Sequence, residues 1–224
     1  MEEKELLNSL EGCIEEAWEG VKKDYSYALW WEEAEIVASF YHHLRQNDKF
    51  KKLEELEDIQ VIPEYTPKPK SDFLKSNERK NLAPALKPDI ESDPTGTCHI
   101  DLCIVKFNEN PRKVDGENLW EIKHRPLVAM EFKYWIGKKD IPQLVDINGY
   151  IDNYDGFDER YLCFIEDKKN VDYIKRKLRE QLGEQKEKEQ KKLKEWKIAY
   201  LLDYGNEKTR CSVVSLEEFL TSSF

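Results

Sequence analysis

Residues 127–135, Leu-Val-Ala-Met-Glu-Phe-Lys-Tyr-Trp, combine a short apolar run with Glu131 and Lys133 two positions apart. A strand repeats every two residues, so the two charges share one face while Met130, Phe132 and Tyr134 share the other. A carboxylate and an ammonium on an otherwise apolar strand are costly unless they pair with each other or coordinate something. A second acid, Asp101, interrupts another apolar run, His99 to Phe107. By alternation it lies with His99 and Cys103, opposite Ile100, Leu102 and Ile104. If these two strands pair antiparallel, the carboxylates become cross-strand neighbours within about 5 Å. Converging carboxylates with a lysine beside them suit a site that holds Mg²⁺ or Mn²⁺, activates water and stabilises charge on a phosphate.

The remaining elements must position these residues. Leu6, Leu7, Leu10, Ile14, Trp18 and Val21 recur at helical spacing and predict an amphipathic helix over 5–23. A second helix is expected from about Leu29 to Gln46, with Asn47-Asp48 as its stop and a charged helical stretch over 51–58. Ile59 to Tyr65 reads as a short strand whose Pro63 places it near a sheet edge. The five prolines at 67, 69, 84, 88 and 94 mark 66–97 as a loop insertion. A short strand is expected at 119–123, and a helix from Asp140 to Ile151, with Asp140 as N-cap and Pro142 in its opening turn. Tyr161 to Ile165 suits a buried strand. Val171 to Trp196 reads as a long charged helix, Lys197 to Asp203 as a strand, and Leu216 to Leu220 as a closing helix.

Composition narrows the classes. Of the 224 residues 37% are charged and 12% aromatic, with six Trp, which predicts a packed core under a heavily solvated surface in one domain spanning 1–224. No apolar stretch reaches the roughly 18 residues of a membrane span and no leader pattern opens the chain, so a cytoplasmic protein without membrane association is expected. The five cysteines, Cys13, Cys98, Cys103, Cys163 and Cys211, are odd in number, scattered and without C-x-x-C spacing, and read as reduced core thiols. The net charge of −10 weighs against a nucleic-acid binder. Its distribution answers part of that objection: residues 1–60 hold 7 basic and 16 acidic side chains, whereas 168–197 hold 12 basic and 6 acidic. Nucleophile elbows, phosphate-binding glycine loops and His-Glu-x-x-His zinc motifs do not occur.

An acid at a strand centre, Glu131-Phe-Lys133 on the next strand, then a helix and a further strand resembles the PD-(D/E)XK nuclease superfamily. The likeness covers roughly 29–167 and implies an α/β fold of restriction-endonuclease-like type: an αβββαβ core with a mixed central sheet flanked by helices. The N-terminal helix and a C-terminal helix-strand-helix extension, its charged helical part at 168–197, would be additions to that core. The resemblance implies Asp101, Glu131 and Glu35 as ligands of Mg²⁺ or Mn²⁺, Lys133 as the residue that positions the nucleophile, and Gln143 as an accessory side chain. It implies DNA as partner and substrate, with RNA left open, and a dimer if both strands are cut. Glu33 competes with Glu35 as the helical acid, because it shares the Val37, Phe40, Leu44 stripe. Asp146 and Tyr150 compete with Gln143, and Glu64 is an additional candidate. Pro88-Asp89 matches the family's name literally but lacks strand flanks, so Asp101 takes the role.

Plainer readings stand beside each assignment. An isolated Glu-x-Lys is ordinarily a surface salt bridge. His42-His43 lacks the i, i+4 partner of a metal site, and Trp30-Trp31 suits core packing. A catalytically silent nuclease-like fold that acts as a nucleic-acid- or protein-binding scaffold is the alternative function; a glycosidase-type carboxylate pair would leave Lys133 without a role.

Overall fold

The structure, a computed structural model, describes residues 1–25, 32–65, 100–107, 112–113, 120–121, 124–134, 157–184, 196–203 and 209–223. The first helix, α1 (Glu3–Tyr25), has Glu3 and Glu5 in its first turn and Lys22 and Lys23 in its last, matching the helix dipole at both ends. Its buried stripe includes Leu6, Leu10, Ile14, Trp18 and Val21, as the periodicity predicts. The second helix, α2 (Glu33–Gln46), opens in a capping box formed by Glu32 and Glu35. Asn47 then serves two helices. Its backbone N–H closes α2, and its side chain accepts the N–H groups of Lys49 and Phe50 to open α3 (Asp48–Glu57).

Asp58, with φ of 53°, turns α3 into β1 (Ile59–Tyr65) through a left-handed residue of a type that tolerates it. Next come β2 (Ile100–Phe107), the short strands β3 (Arg112–Lys113) and β4 (Trp120–Glu121), and β5 (His124–Tyr134). After β6 (Glu159–Asp167) the chain makes a 3-10 turn at Lys168–Asn170 and enters α4 (Val171–Glu184). It ends with β7 (Trp196–Asp203), β8 (Arg210–Ser215) and α5 (Leu216–Thr221).

Six strands form one mixed sheet in the order β1-β2-β5-β6-β7-β8, while β3 and β4 pair as a separate antiparallel ribbon. The pairs β1/β2, β2/β5 and β7/β8 are antiparallel; β5/β6 and β6/β7 are parallel. Pro63 lies on the edge strand β1, where its missing N–H is tolerated. Strand β5 contains a bulge: Pro126 faces Val105 and Val128 faces Ile104, leaving Leu127 as an extra residue on β5.

Helices cover both sheet faces. On one, Leu10, Ile14 and Trp18 of α1, Phe40 of α2 and Phe50 of α3 pack on Leu102, Met130, Phe132, Cys163 and Leu201. On the other, Val171, Ile174 and Leu178 of α4 and Phe219 of α5 pack with Cys103, Ala129, Leu162, Phe164 and Tyr200. The chain is thus mixed α/β, a helix-flanked six-stranded mixed sheet. Among the described residues, no helix is long and apolar enough to cross a membrane.

Two expectations are corrected. The helix expected to reach Trp196 is described only to Glu184, and Trp196 begins β7, where its ring packs in the second core. Strand β8 was not anticipated, because its side chains are half-buried at a sheet edge and give only a weak alternation. The helix expected at 140–151, Trp30-Trp31 and the literal Pro88-Asp89 pair lie outside the described residues.

The α1/α2 contact yields a paired prediction. A Cβ added at Gly20 would lie 2.3 Å from the His43 ring, whereas one added at Gly12 meets nothing within 4 Å. Gly12→Ala is expected to stabilise the fold by about 0.5–1 kcal/mol through helix propensity. Gly20→Ala, in the same helix, is expected to destabilise it by about 1–3 kcal/mol through overpacking. Urea unfolding of both variants checks this, and equal shifts in one direction would refute the close approach.

Candidate active site

Strands β2 and β5 pair directly, although the chain between Asp101 and Glu131 is long for a simple hairpin. Leu102 faces Met130, and the same register carried one residue further sets Asp101 across from Glu131. The Asp101 carboxylate is held there by β5 itself, its Oδ2 accepting the Phe132 N–H at 2.7 Å. Alternation on β5 sends Met130 and Phe132 into the core under α1 and α2 and leaves Glu131 and Lys133 on the opposite face. Glu131 is nevertheless only 8% exposed.

Lys133 is the hub of the cluster. Its Nζ donates to Glu131 Oε1 at 2.8 Å and to the Phe132 carbonyl at 2.9 Å, and stands 3.4 Å from Glu33 Oε1 in the first turn of α2. Glu131 Oε2 is buried and has no hydrogen-bond partner among the described residues. Burial, and then the Asp101 carboxylate, push the Glu131 carboxyl up to about 7 against the pull of Lys133. Burial opposes the charge on Lys133, but Glu131, Asp101 and Glu33 outweigh it and hold the ammonium protonated well above the ordinary lysine range. Cys163 is fully buried behind the cluster; burial, then Asp101 and Glu131, raise its thiol well above the ordinary value. Such a thiol is a packing group and not a nucleophile.

Of the residues singled out in the sequence, Asp101, Glu131 and Lys133 come together. The helical acid that joins them is Glu33 and not Glu35. The Glu35 carboxylate is turned back to accept the Glu32 N–H at 2.7 Å, completing the α2 capping box. That signal was present in the sequence as acids spaced for a helix start, and Glu33 already lay on the Val37, Phe40, Leu44 stripe. Glu64 lies on β1 between Pro63 and Tyr65, which face Leu102 and Ile100. Gln143, Asp146 and Tyr150 lie outside the described residues, as do Cys98 and His99.

The histidine pair takes a structural position. His43 Nε2 and Ser39 Oγ both meet Asp24 Oδ2, at 2.8 and 2.7 Å, tying α2 to the end of α1. Serine and histidine share one carboxylate oxygen rather than bonding each other, which is not the relay of a nucleophilic triad. Cys13, Cys103, Cys163 and Cys211 are free thiols.

The donor set around Glu131 is all oxygen, the chemistry that Mg²⁺ and Mn²⁺ prefer, and the unpartnered Glu131 Oε2 is a buried acceptor with a lone pair to give. These residues therefore fit a hard divalent ion. Among the described residues, no three His, Cys, Asp or Glu side chains already converge as a metal-ligand group. Comparison with family models, curated proteins and solved structures finds no match to the chain.

The raised Glu131 value has a consequence for stability. Its folded pKa of about 7 exceeds the ordinary 4.5. Both folded and unfolded chains carry the proton below about 4.5, and between 4.5 and 7 only the folded chain retains it. The stabilisation from protonated Glu131 is therefore complete below pH 4.5 and lost as pH rises through 7. In EDTA, urea unfolding of wild type relative to Glu131→Gln should shift in favour of the variant by on the order of 3 kcal/mol across this window, then stay level. A constant difference would exclude Glu131 as the titrating group.

Proposed function

We propose that the chain is a divalent-metal-dependent nuclease of PD-(D/E)XK type that hydrolyses DNA phosphodiester bonds. The observation carrying this reading is the adjacency of Asp101 and Glu131 on paired central strands, with Lys133 bonded to Glu131 and a buried Glu131 oxygen that has no partner among the described residues. Surface Glu-x-Lys pairs do not have these properties: they are solvated and individually weak.

Element order supports the same reading as far as it is described. Helix α2, strands β1, β2 and β5 in antiparallel succession, and β6 parallel to β5 are compatible with a restriction-endonuclease-like αβββαβ core in which α3 and the β3/β4 ribbon are insertions. Residues 135–156, where the sequence places the second helix, lie outside the described residues.

In this mechanism Asp101, Glu131 and Glu33 would hold Mg²⁺ or Mn²⁺. The ion, when bound, supplies Lewis acidity to a phosphate oxygen and acidifies water. Asp101 needs little rearrangement, since the Phe132 N–H already fixes its carboxylate. Lys133, protonated throughout the neutral range, orients the attacking water and offsets charge accumulating on the phosphate. Helices on both faces of the sheet keep the carboxylates in a medium where such charges act strongly.

A second reading, a catalytically silent fold of this kind serving as a nucleic-acid- or protein-binding scaffold, is favoured by the closeness of the Lys133–Glu131 pair, because a satisfied ion pair stands without a metal. The deciding experiment incubates wild type, Asp101→Asn, Glu131→Gln and Lys133→Met with plasmid, single-stranded and branched DNA, and with RNA, in Mg²⁺, Mn²⁺ or EDTA. Cleavage is expected only with metal and should fall roughly a hundredfold or more in each variant while circular dichroism stays unchanged. Cleavage that survives EDTA or the substitutions would refute the assignment, and silence on all substrates would favour the scaffold.

A further inference from the structure

The Lys133 ammonium is enclosed by oxygens of the kinds that a divalent ion takes: the Glu131 carboxylate at 2.8 Å, the Phe132 main-chain carbonyl at 2.9 Å and the Glu33 carboxylate at 3.4 Å. The Lys133 side chain is only 14% exposed, so water screens these contacts poorly. We propose that Lys133 is a resident counterion of the site, and that a divalent metal binds only by displacing its ammonium from Glu131 Oε1 and Glu33 Oε1. This deepens the nuclease reading and rests on it, since it assigns the order of events at the same carboxylates.

The physical case is one of competition for shared ligands. Two cations within a few ångströms repel strongly where the dielectric is low, and each carboxylate oxygen given to the metal is lost to the ammonium. Once ionised, Glu131 is costly without a cation. Its carboxylate is buried and lies beside that of Asp101, so a positive charge close to the ionised pair is favoured before and after metal binds. Lys133 meets that need before metal arrives, and its four-carbon stem lets the ammonium withdraw without unfolding β5. Once displaced, the same ammonium is available to a water or phosphate beside the metal. The rival arrangement leaves Lys133 in place and seats the ion on Glu131 Oε2 and Asp101.

The two arrangements predict opposite effects of removing the lysine. Mn²⁺ affinity is measured by calorimetry at constant pH for wild type, Lys133→Met, Lys133→Gln and Glu33→Gln, alongside thermal unfolding in EDTA and in saturating Mn²⁺. If the ammonium competes, both lysine variants bind Mn²⁺ at least about tenfold more tightly than wild type. They also unfold at lower temperature in EDTA and gain more from Mn²⁺, while Glu33→Gln binds more weakly. Unchanged or weaker Mn²⁺ binding by the lysine variants overturns the proposal, as does a protein that binds no Mn²⁺ in any form. Should both lysine variants misfold, wild type suffices: amine-reactive labelling of Lys133, read by mass spectrometry, should be slow in EDTA and several-fold faster in saturating Mn²⁺. Equal or slower labelling with metal overturns the proposal. Failure of the nuclease reading is separate: tighter Mn²⁺ binding by the variants without cleavage of any nucleic acid by wild type removes the enzyme and keeps the displacement, and intact cleavage with a flat affinity ranking does the reverse.

Discussion

A carboxylate buried in the middle of a sheet must be compensated by its own neighbours, and Glu131 imposes that constraint here. It occupies a central strand with helices over both faces, where solvent contributes little. Lys133 follows two residues later to bring a charge, and Asp101 comes from the next strand to take the intervening N–H. Glu33 enters from a helix that belongs to the opposite core. None of the four is intelligible singly. Removing Lys133 would leave the buried Glu131 beside Asp101 with no cation, which costs far more than breaking an exposed pair would.

The apolar side of β5 fixes the polar side. Phe132, between Glu131 and Lys133 in sequence, turns its ring into the first core, where it stands 5.3 Å from Phe40 and 6.3 Å from Trp18. Phe40 lies seven residues after Glu33, so two helical turns connect the aromatic contact to the acid that meets Lys133. Trp18 in turn donates its indole N–H to the Tyr200 carbonyl at 3.0 Å, tying α1 to β7. Packing among three rings thus joins the Asp24 contacts of Ser39 and His43 in setting the position of α2, and with it Glu33.

Much of this arrangement is legible in the sequence, for identifiable reasons. The stripes of α1 and α2, the edge proline of β1 and the apolar runs of β2, β5, β6 and β7 carry strong periodicity, because burial on one or both faces demands it. Asp101 and Glu131 stand out since a charge inside such a run needs an explanation. What remained hidden depends on local competition or weak burial. Glu33 and Glu35 are both acids in a first turn, and only the cap geometry assigns one to the backbone and releases the other. Strand β8 is half-exposed and lacks a full apolar face. At Trp196 a charged run passes directly into a strand, with no glycine or proline to mark the change.

The bulge at Leu127 gives the chemistry a parity. Residues facing each other across antiparallel strands project to the same side, and a slip of one residue sends a whole strand to the other side. Before the bulge β5 is in step with β2 so that Arg125 faces Lys106; beyond it Met130 faces Leu102, one place out of the earlier alignment. Were Leu127 drawn into the ladder opposite Ile104 instead of bulging out, the first alignment would continue, and Asp101 would face Met130 instead of Glu131. The acids would then look out of opposite sides of the sheet, with every letter of the Glu-Phe-Lys motif intact. Closing the bulge with Leu127 kept in the chain, about 13 Å up the strand at roughly 3.3 Å per residue, would disarm the cluster as completely as mutating it, whereas deleting Leu127 would leave Asp101 and Glu131 opposed.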